Sequence, residues 1–156
     1  MAHLDYLSYL STKEEIAEWI ETVEEILTYR AENEDNLQEH PPIVLLIDGY
    51  SFFQNIVDSR LQERLSKLIK NYTNIGFTLI VTGSNNDFSK GYDAFTNELK
   101  QLRQGILLMK KSDQTIFNLP FDRKEREIHN GFGYYVKNGQ ASFIQIPLVV
   151  ESGVTI

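Results

Sequence analysis

Asp48 is placed where a carboxylate could do chemistry. It closes the run Ile43-Val44-Leu45-Leu46-Ile47, five apolar residues without interruption, and Gly49, Tyr50 and Ser51 follow it. An unbroken apolar run of this length suits a strand covered on both faces, as in the middle of an α/β sheet. The acid then stands at the carboxyl edge of that strand, where open α/β sheets bind their ligands. In nucleotide-hydrolysing folds this place holds the acid that binds Mg²⁺. The plainer reading is a strand-terminal Asp that caps the following helix. A second polar stretch, Gly83-Ser84-Asn85-Asn86-Asp87, follows the run Phe77-Thr78-Leu79-Ile80-Val81-Thr82 and is expected as a loop beside Asp48.

Other chemistries find less support. A metal-dependent nuclease or hydrolase would need carboxylates within reach of two ions. Asp48 with Asp87 or Asp113 is the nearest approach, and no compact Asp/Glu/His cluster exists. His3, His40 and His129 are scattered, and the absence of cysteine excludes thiolate metal sites and disulfides. No metal site is expected. Basic residues cluster only at Lys110-Lys111 and Arg123-Lys124-Glu125-Arg126, the second flanked by Asp122 and Glu127. A solvated surface explains them better than phosphate contact, which needs more unopposed Lys and Arg.

The elements that must position these residues can be read from periodicity. Thr12 with Glu15, or Ser11 with Glu14, opens a helix over 13–30 by a capping box. Its apolar stripe is Ile16, Trp19, Ile20, Val23, Ile26 and Leu27. Residues 31–42 end in Pro41-Pro42 and form a loop. After the first strand, Ser51 or Asp48 caps one long helix with the stripe Phe53, Ile56, Val57, Leu61, Leu65, Leu68 and Tyr72. Asn74-Ile75-Gly76 ends it. Two strands joined by such a helix make a parallel, right-handed crossover. A third helix is marked by Tyr92, Phe95, Leu99 and Leu102, a third strand by 106–109, and a short fourth by 115–117. Asp122 and Glu125 suggest a helical turn or two over 123–128. Asn130-Gly131-Phe132-Gly133 is a tight turn whose glycines need positive φ. Residues 134–136 and 141–148 face each other across Lys137-Asn138-Gly139-Gln140, a strong hairpin signal.

A length of 156 residues fits one domain, and 42% apolar residues suffice for one core. No stretch approaches the roughly 18 apolar residues of a membrane span, and no signal peptide is evident. The net charge of −7 is uneven: residues 1–40 carry 11 acidic and 2 basic side chains, the rest 11 and 13. A solvated acidic helix face is the simplest account of that asymmetry. Residues 1–10 form a lead-in, its first three compatible with an expression-vector remnant, and 151–156 a frayed tail.

Taken in order and spacing, these segments resemble the ATPase domains of the FtsK/SpoIIIE family. They look most like the last ATPase domain of the motor proteins of type VII secretion. Ile43 to Ser51 match the Walker B strand, and Gly76 to Ser84 the next strand with its sensor loop. Asn130-Gly131-Phe132-Gly133 stands where the family has Pro-Gly-Arg-Gly, and Ile144-Gln145-Ile146-Pro147 match the final strand. The resemblance implies a three-layer, P-loop NTPase-like (RecA/FtsK-type) α/β core. Its central sheet would be mostly parallel, with a C-terminal β-hairpin and without its phosphate-loop portion. It implies one partial, degenerate domain over 1–156. ATP and Mg²⁺ are the parent family's cofactors, and none is expected for this chain.

The departures from the family pattern bear on activity. The Walker B Glu that orients the attacking water is replaced by Gly49. Thr82 matches the sensor Thr, but Gly83 stands in place of its Gln, and Ser84 in place of the arginine of DNA-pumping relatives. Nothing reads Gly-x-x-x-x-Gly-Lys-Ser/Thr. Without water positioning and charge stabilisation, phosphoryl transfer loses most of its acceleration. Asp48, Thr82 and Ser84 are thus expected as vestiges, with no catalytic residue. The resemblance implies a module that selects exported WXG-type helical hairpins, beside other ATPase domains of one polypeptide. It would lie in the cytoplasm, held at the inner membrane face by the rest of that polypeptide, without inserting and without binding nucleic acid. A docked helix would need aromatic anchors. Phe88, Tyr92, Phe121, Phe132, Tyr134 and Tyr135 are the candidates, although such residues are more often core. The alternative within the family is a fragment of a DNA translocase.

Overall fold

The computed structural model describes residues 8–33 and 40–147, so most of the lead-in, part of the 31–42 loop and the tail lie outside the described residues. The chain divides into two compact units, residues 1–99 and 100–156.

The first unit begins with α1 (Lys13–Glu32), two residues longer than the stripe suggests. Thr12 and Glu15 form the capping box, and the Glu15 carboxylate also accepts from the Ser11 backbone N–H at 2.8 Å. Ile16, Ile20, Val23 and Leu27 are buried, as a 3.6-residue period requires. Then come β1 (Ile43–Ile47), α2 (Tyr50–Ile56), α3 (Ser59–Tyr72), β2 (Phe77–Val81), α4 (Asn85–Lys90) and α5 (Ala94–Leu99). β1 and β2 pair in parallel from Ile43↔Phe77 to Ile47↔Val81. Helix α3 packs on β2 and α1 packs on α3, with a core that includes Leu61, Leu65, Leu68 and Phe77.

Three expectations change here. The single long helix is two, because Val57 is extended and Asp58 caps a new start, accepting the Leu61 N–H at 2.9 Å. Neither Ser51 nor Asp48 caps α2; its N-cap is Gly49, at φ +81°. The central strand is not covered on both faces: Val44 and Leu46 are 52% and 60% exposed, and Ile80 beside them is also exposed. In a pleated strand those alternate residues share one face. That face of the two-stranded sheet lies open in this chain.

The second unit is an antiparallel sheet of β3 (Gln104–Leu107), β4 (Phe132–Lys137) and β5 (Gln140–Gln145), in the order β3-β4-β5. The third strand thus joins the hairpin, starting two residues earlier than expected. The hairpin turns on Asn138 (φ 50°) and Gly139 (φ 77°). Two successive positive φ values are what a two-residue turn matched to strand twist requires. Leu107, Tyr134 and Val136 form the core, with Phe117, Leu119, Ile128 and Ala141 against it.

The segment between β3 and β4 holds no strand or α-helix. Residues 115–117 are held by Gln114, whose Oε1 accepts the N–H groups of Ile116 and Phe117 at 2.8 and 2.7 Å. Residues 123–128 form no helix, because Glu125 does not turn back to cap. Its carboxylate accepts the backbone N–H groups of Lys111 and Ser112 instead. Gly131 has the expected positive φ of 83°. Gly133 does not: it lies in β4, where a Cβ would come 2.5 Å from the Leu107 carbonyl oxygen.

Candidate functional site

The ends of β1 and β2 are stitched together by Thr82. Its Oγ donates to Asp48 Oδ1 at 2.8 Å and accepts the Gly49 N–H at 2.9 Å. Its backbone N–H donates to the Ile47 carbonyl at 2.9 Å, and its carbonyl accepts the Tyr50 N–H at 2.8 Å. Asp48 and Thr82, singled out separately, are therefore direct partners. Ser84 is the N-cap of α4: its Oγ accepts the Asp87 N–H, and the Asp87 carboxylate accepts the Ser84 N–H. A stretch expected as loop is thus a helix start, and the box Ser84-x-x-Asp87 was its signal.

The two glycines at this edge are fixed by their surroundings. Gly49 has the left-handed backbone that disfavours side chains, and a Cβ there would lie 3.0 Å from the Phe52 ring. A Glu at that position would be strained. At Gly83 a Cβ would lie 3.0 Å from both the Phe88 ring and Tyr50 Cβ. The space that a Gln side chain would leave through is taken by an aromatic stack. Mg²⁺ is usually held by one or two carboxylates together with substrate phosphates. Here there is one carboxylate, with one oxygen engaged by Thr82. Among the described residues no group of three or more His, Cys, Asp or Glu could hold a metal.

Beneath this edge lies a polar group not foreseen. Tyr50 is buried and stacks on Phe88 with centroids 5.1 Å apart, and Phe53 and Phe95 complete the cluster. Its hydroxyl lies 2.6 Å from Thr96 Oγ, which donates onward to Asp93 Oδ2 at 2.5 Å. With the Thr96 proton spent on Asp93, Tyr50 donates to Thr96. Burial pushes the phenol up to about 12. Asp93 also accepts the Thr96 N–H at 2.8 Å, an N-cap arrangement. Asp three residues before Thr was the readable signal.

The aromatic candidates do not form one class. Phe88 and Tyr92 belong to the first unit, the other four to the second. Phe88 is half-buried in the stack on Tyr50. Tyr92 is not on a helix and is 86% exposed; Phe121 is 80% exposed. Phe132 is half-buried and stacks on Phe143 with centroids 5.5 Å apart. Tyr134 is 5% exposed, so it serves the core, with Lys111 Nζ 5.1 Å from its ring centroid. Tyr135 is half-buried on the opposite face of β4, since adjacent strand residues alternate.

No protein-family model matches the chain. It is 46% identical over 151 residues to the ESX secretion system protein YukB of Bacillus subtilis, and 41% identical over 156 residues to the ESX secretion system protein EccC of Geobacillus thermodenitrificans. These alignments take in 91% and 95% of the chain but 10% of each relative. The chain is a homologue of one segment of the EssC/EccC/YukB type VII secretion proteins. The solved structures agree. EssC ATPases 2 and 3 from Geobacillus thermodenitrificans superpose with a TM-score of 0.82 at 41% identity, and the cytoplasmic domain of EssC with 0.83 at 41%. Each match covers 94% of this chain, and 28% and 30% of the solved chains. The mixed α/β fold, with a parallel strand pair and an antiparallel hairpin, is that of the EssC ATPase domains. No described helix is long and apolar enough to cross a membrane.

Proposed function

We propose that this EssC-like segment works by binding exported protein and does not hydrolyse ATP. The observation that carries this reading is the strand end itself. The one acid placed for Mg²⁺ is engaged by Thr82, and the adjoining positions that would orient water are Gly49 and Gly83. Positive φ at one and the Phe88–Tyr50 stack at the other disfavour side chains there. What remains useful to a partner is exposed aromatic surface. Tyr92 in the first unit and Phe121 in the second are the most exposed of the candidate anchors, and Phe132 and Tyr135 are half-buried. Exposed rings of this kind suit the apolar stripe of a helical hairpin, the WXG-type cargo that the family resemblance implies. The segment would act beside other ATPase domains of its polypeptide, on the cytoplasmic face of the membrane that the polypeptide is held to. ATP and Mg²⁺ would be bound elsewhere in that polypeptide.

Calorimetric titration with purified helical-hairpin export substrates tests the binding half. Binding should weaken at least tenfold in Tyr92→Ala or Phe121→Ala. Binding indifferent to both, and to Phe132→Ala and Tyr135→Ala, contradicts the assignment.

A further inference from the structure

In the second unit a cleft of about 590 Å³ opens between the start of β3, residues 116–118 and the β4–β5 turn. Among the described residues its lining includes Lys100, Arg103, Phe117, Asn118 and Asn138, and no Asp or Glu. Its walls are held in advance. The Asn138 N–H donates to the Arg103 carbonyl at 2.7 Å, which ties the turn to the start of β3. Gln114 clamps the opposite wall: its Oε1 accepts from Ile116 and Phe117, and its Nε2 donates to the Phe117 carbonyl at 2.8 Å. The Phe117 ring presses on Gly105, where a Cβ would come 2.6 Å from it. Three other cations of this unit are answered. Lys110 pairs with Glu127 at 2.5 Å, Lys111 with Asp122 at 3.2 Å, and Arg126 sits 5.3 Å from the Phe143 ring centroid. Arg103 is exposed and forms no ion pair among the described residues.

We propose that this cleft is a binding site for an acidic peptide segment of a partner protein. Arg103 takes a carboxylate in its planar fork, a geometry that lysine cannot reproduce. The side-chain amides of Asn118 and Asn138 offer both a donor and an acceptor to the peptide backbone, and Phe117 supplies an apolar floor. One exposed arginine in a cleft whose described lining holds no acid suits a carboxylate-bearing peptide better than nucleic acid, whose affinity rests on many neutralised phosphates. The site stands on the cleft alone and does not require the exported-protein reading.

Fluorescence anisotropy with labelled hexaglutamate, and hexaglutamine as control, tests it on the full chain. Hexaglutamate should bind and hexaglutamine should not. Arg103→Glu should weaken hexaglutamate at least tenfold and confer binding of hexalysine. On the unaltered chain, nuclear magnetic resonance should show the side-chain amides of Asn118 and Asn138 shifting as hexaglutamate is added. Hexaglutamate affinity unchanged by Arg103→Glu, shifts that spare both amides, or displacement by single-stranded DNA at lower concentration than the peptide would each overturn the proposal.

Discussion

The two units hold themselves together in different ways. The first buries apolar stripes of α1 and α3 and an aromatic cluster around Tyr50, and its polar groups bond among themselves at the end of β1 and β2. The second covers one sheet face with an irregular segment pinned by carboxylates to backbone N–H groups and lysines. The first should therefore respond most to lost volume; carboxylates held below their ordinary value occur in both units, at Glu15 and Asp58 in the first and at Asp122 and Glu125 in the second. The acid that resembles a catalytic one lies in the unit where polar groups are already partnered. A carboxylate at a sheet edge is not chemistry until its neighbours leave it a free task.

The sharpest way to break this contrast is to hollow out the first unit. Tyr50→Ala removes a fully buried ring from the stack and should cost about 3–5 kcal/mol, as large-to-small aromatic changes do. Urea unfolding measures it, and a loss below about 1 kcal/mol would mean that the cluster is not the core of that unit.

Restoring the sensor-like side chain comes next. Gly83→Gln forces atoms against Phe88 and Tyr50 and should destabilise by about 1–3 kcal/mol through overpacking. It should bring no phosphate release. A stable variant that hydrolyses ATP would show that only one side chain stood between this fold and activity. Thr96→Val leaves the buried Tyr50 hydroxyl without its acceptor and should cost about 1–3 kcal/mol. Tyr50→Phe in that background should recover part of the loss, and a thermal-melt double-mutant cycle reads the coupling.

The pH arm of the contrast turns on the irregular segment of the second unit, whose carboxylates hold backbone N–H groups far along the chain, whereas Glu15 and Asp58 of the first unit act at the two helix starts. Burial raises the Glu125 carboxyl, but the N–H groups of Lys111 and Ser112 outweigh it and hold it below its ordinary value. Asp122 is lowered by the Lys124 N–H and then by Lys111. Folded values below unfolded ones mean that this stabilisation is complete above the ordinary carboxylate range, about pH 4. It is lost as pH falls through the lowered values. Amide exchange at Lys111 and Ser112 should accelerate below that range before exchange in α3 does. Glu125→Gln should accelerate it at neutral pH, and equal acid sensitivity in both regions would erase the distinction.

Much of the fold could be read before any coordinates. Thr12 with Glu15 marked the start of α1, the unbroken run at 43–47 gave β1, and Asn138-Gly139 gave the hairpin. These are local signals whose cause lies within a few residues. What escaped was decided at a distance or by competition among caps. Asp58 took the helix start that periodicity had run through. Glu125 matched a capping box but went to the N–H groups of Lys111 and Ser112, more than ten residues away. The open face at Val44 and Leu46 was invisible because an apolar run does not say what will cover it. At the candidate site Asp48 and Thr82 were legible as strand-end polar residues. The Tyr50–Thr96–Asp93 chain was not, since it joins residues more than forty positions apart.

The central claim is that the strand-end acid has lost its nucleotide role. Asp48→Ala should cost only about 0.5–1.5 kcal/mol, the worth of its hydrogen bond to Thr82. Titrating this chain and Asp48→Ala with ATP in the presence of Mg²⁺, by isothermal calorimetry, tests the claim most directly. The account predicts no saturable heat from either. A saturable, Mg²⁺-dependent isotherm in the unaltered chain that vanishes in Asp48→Ala would contradict it.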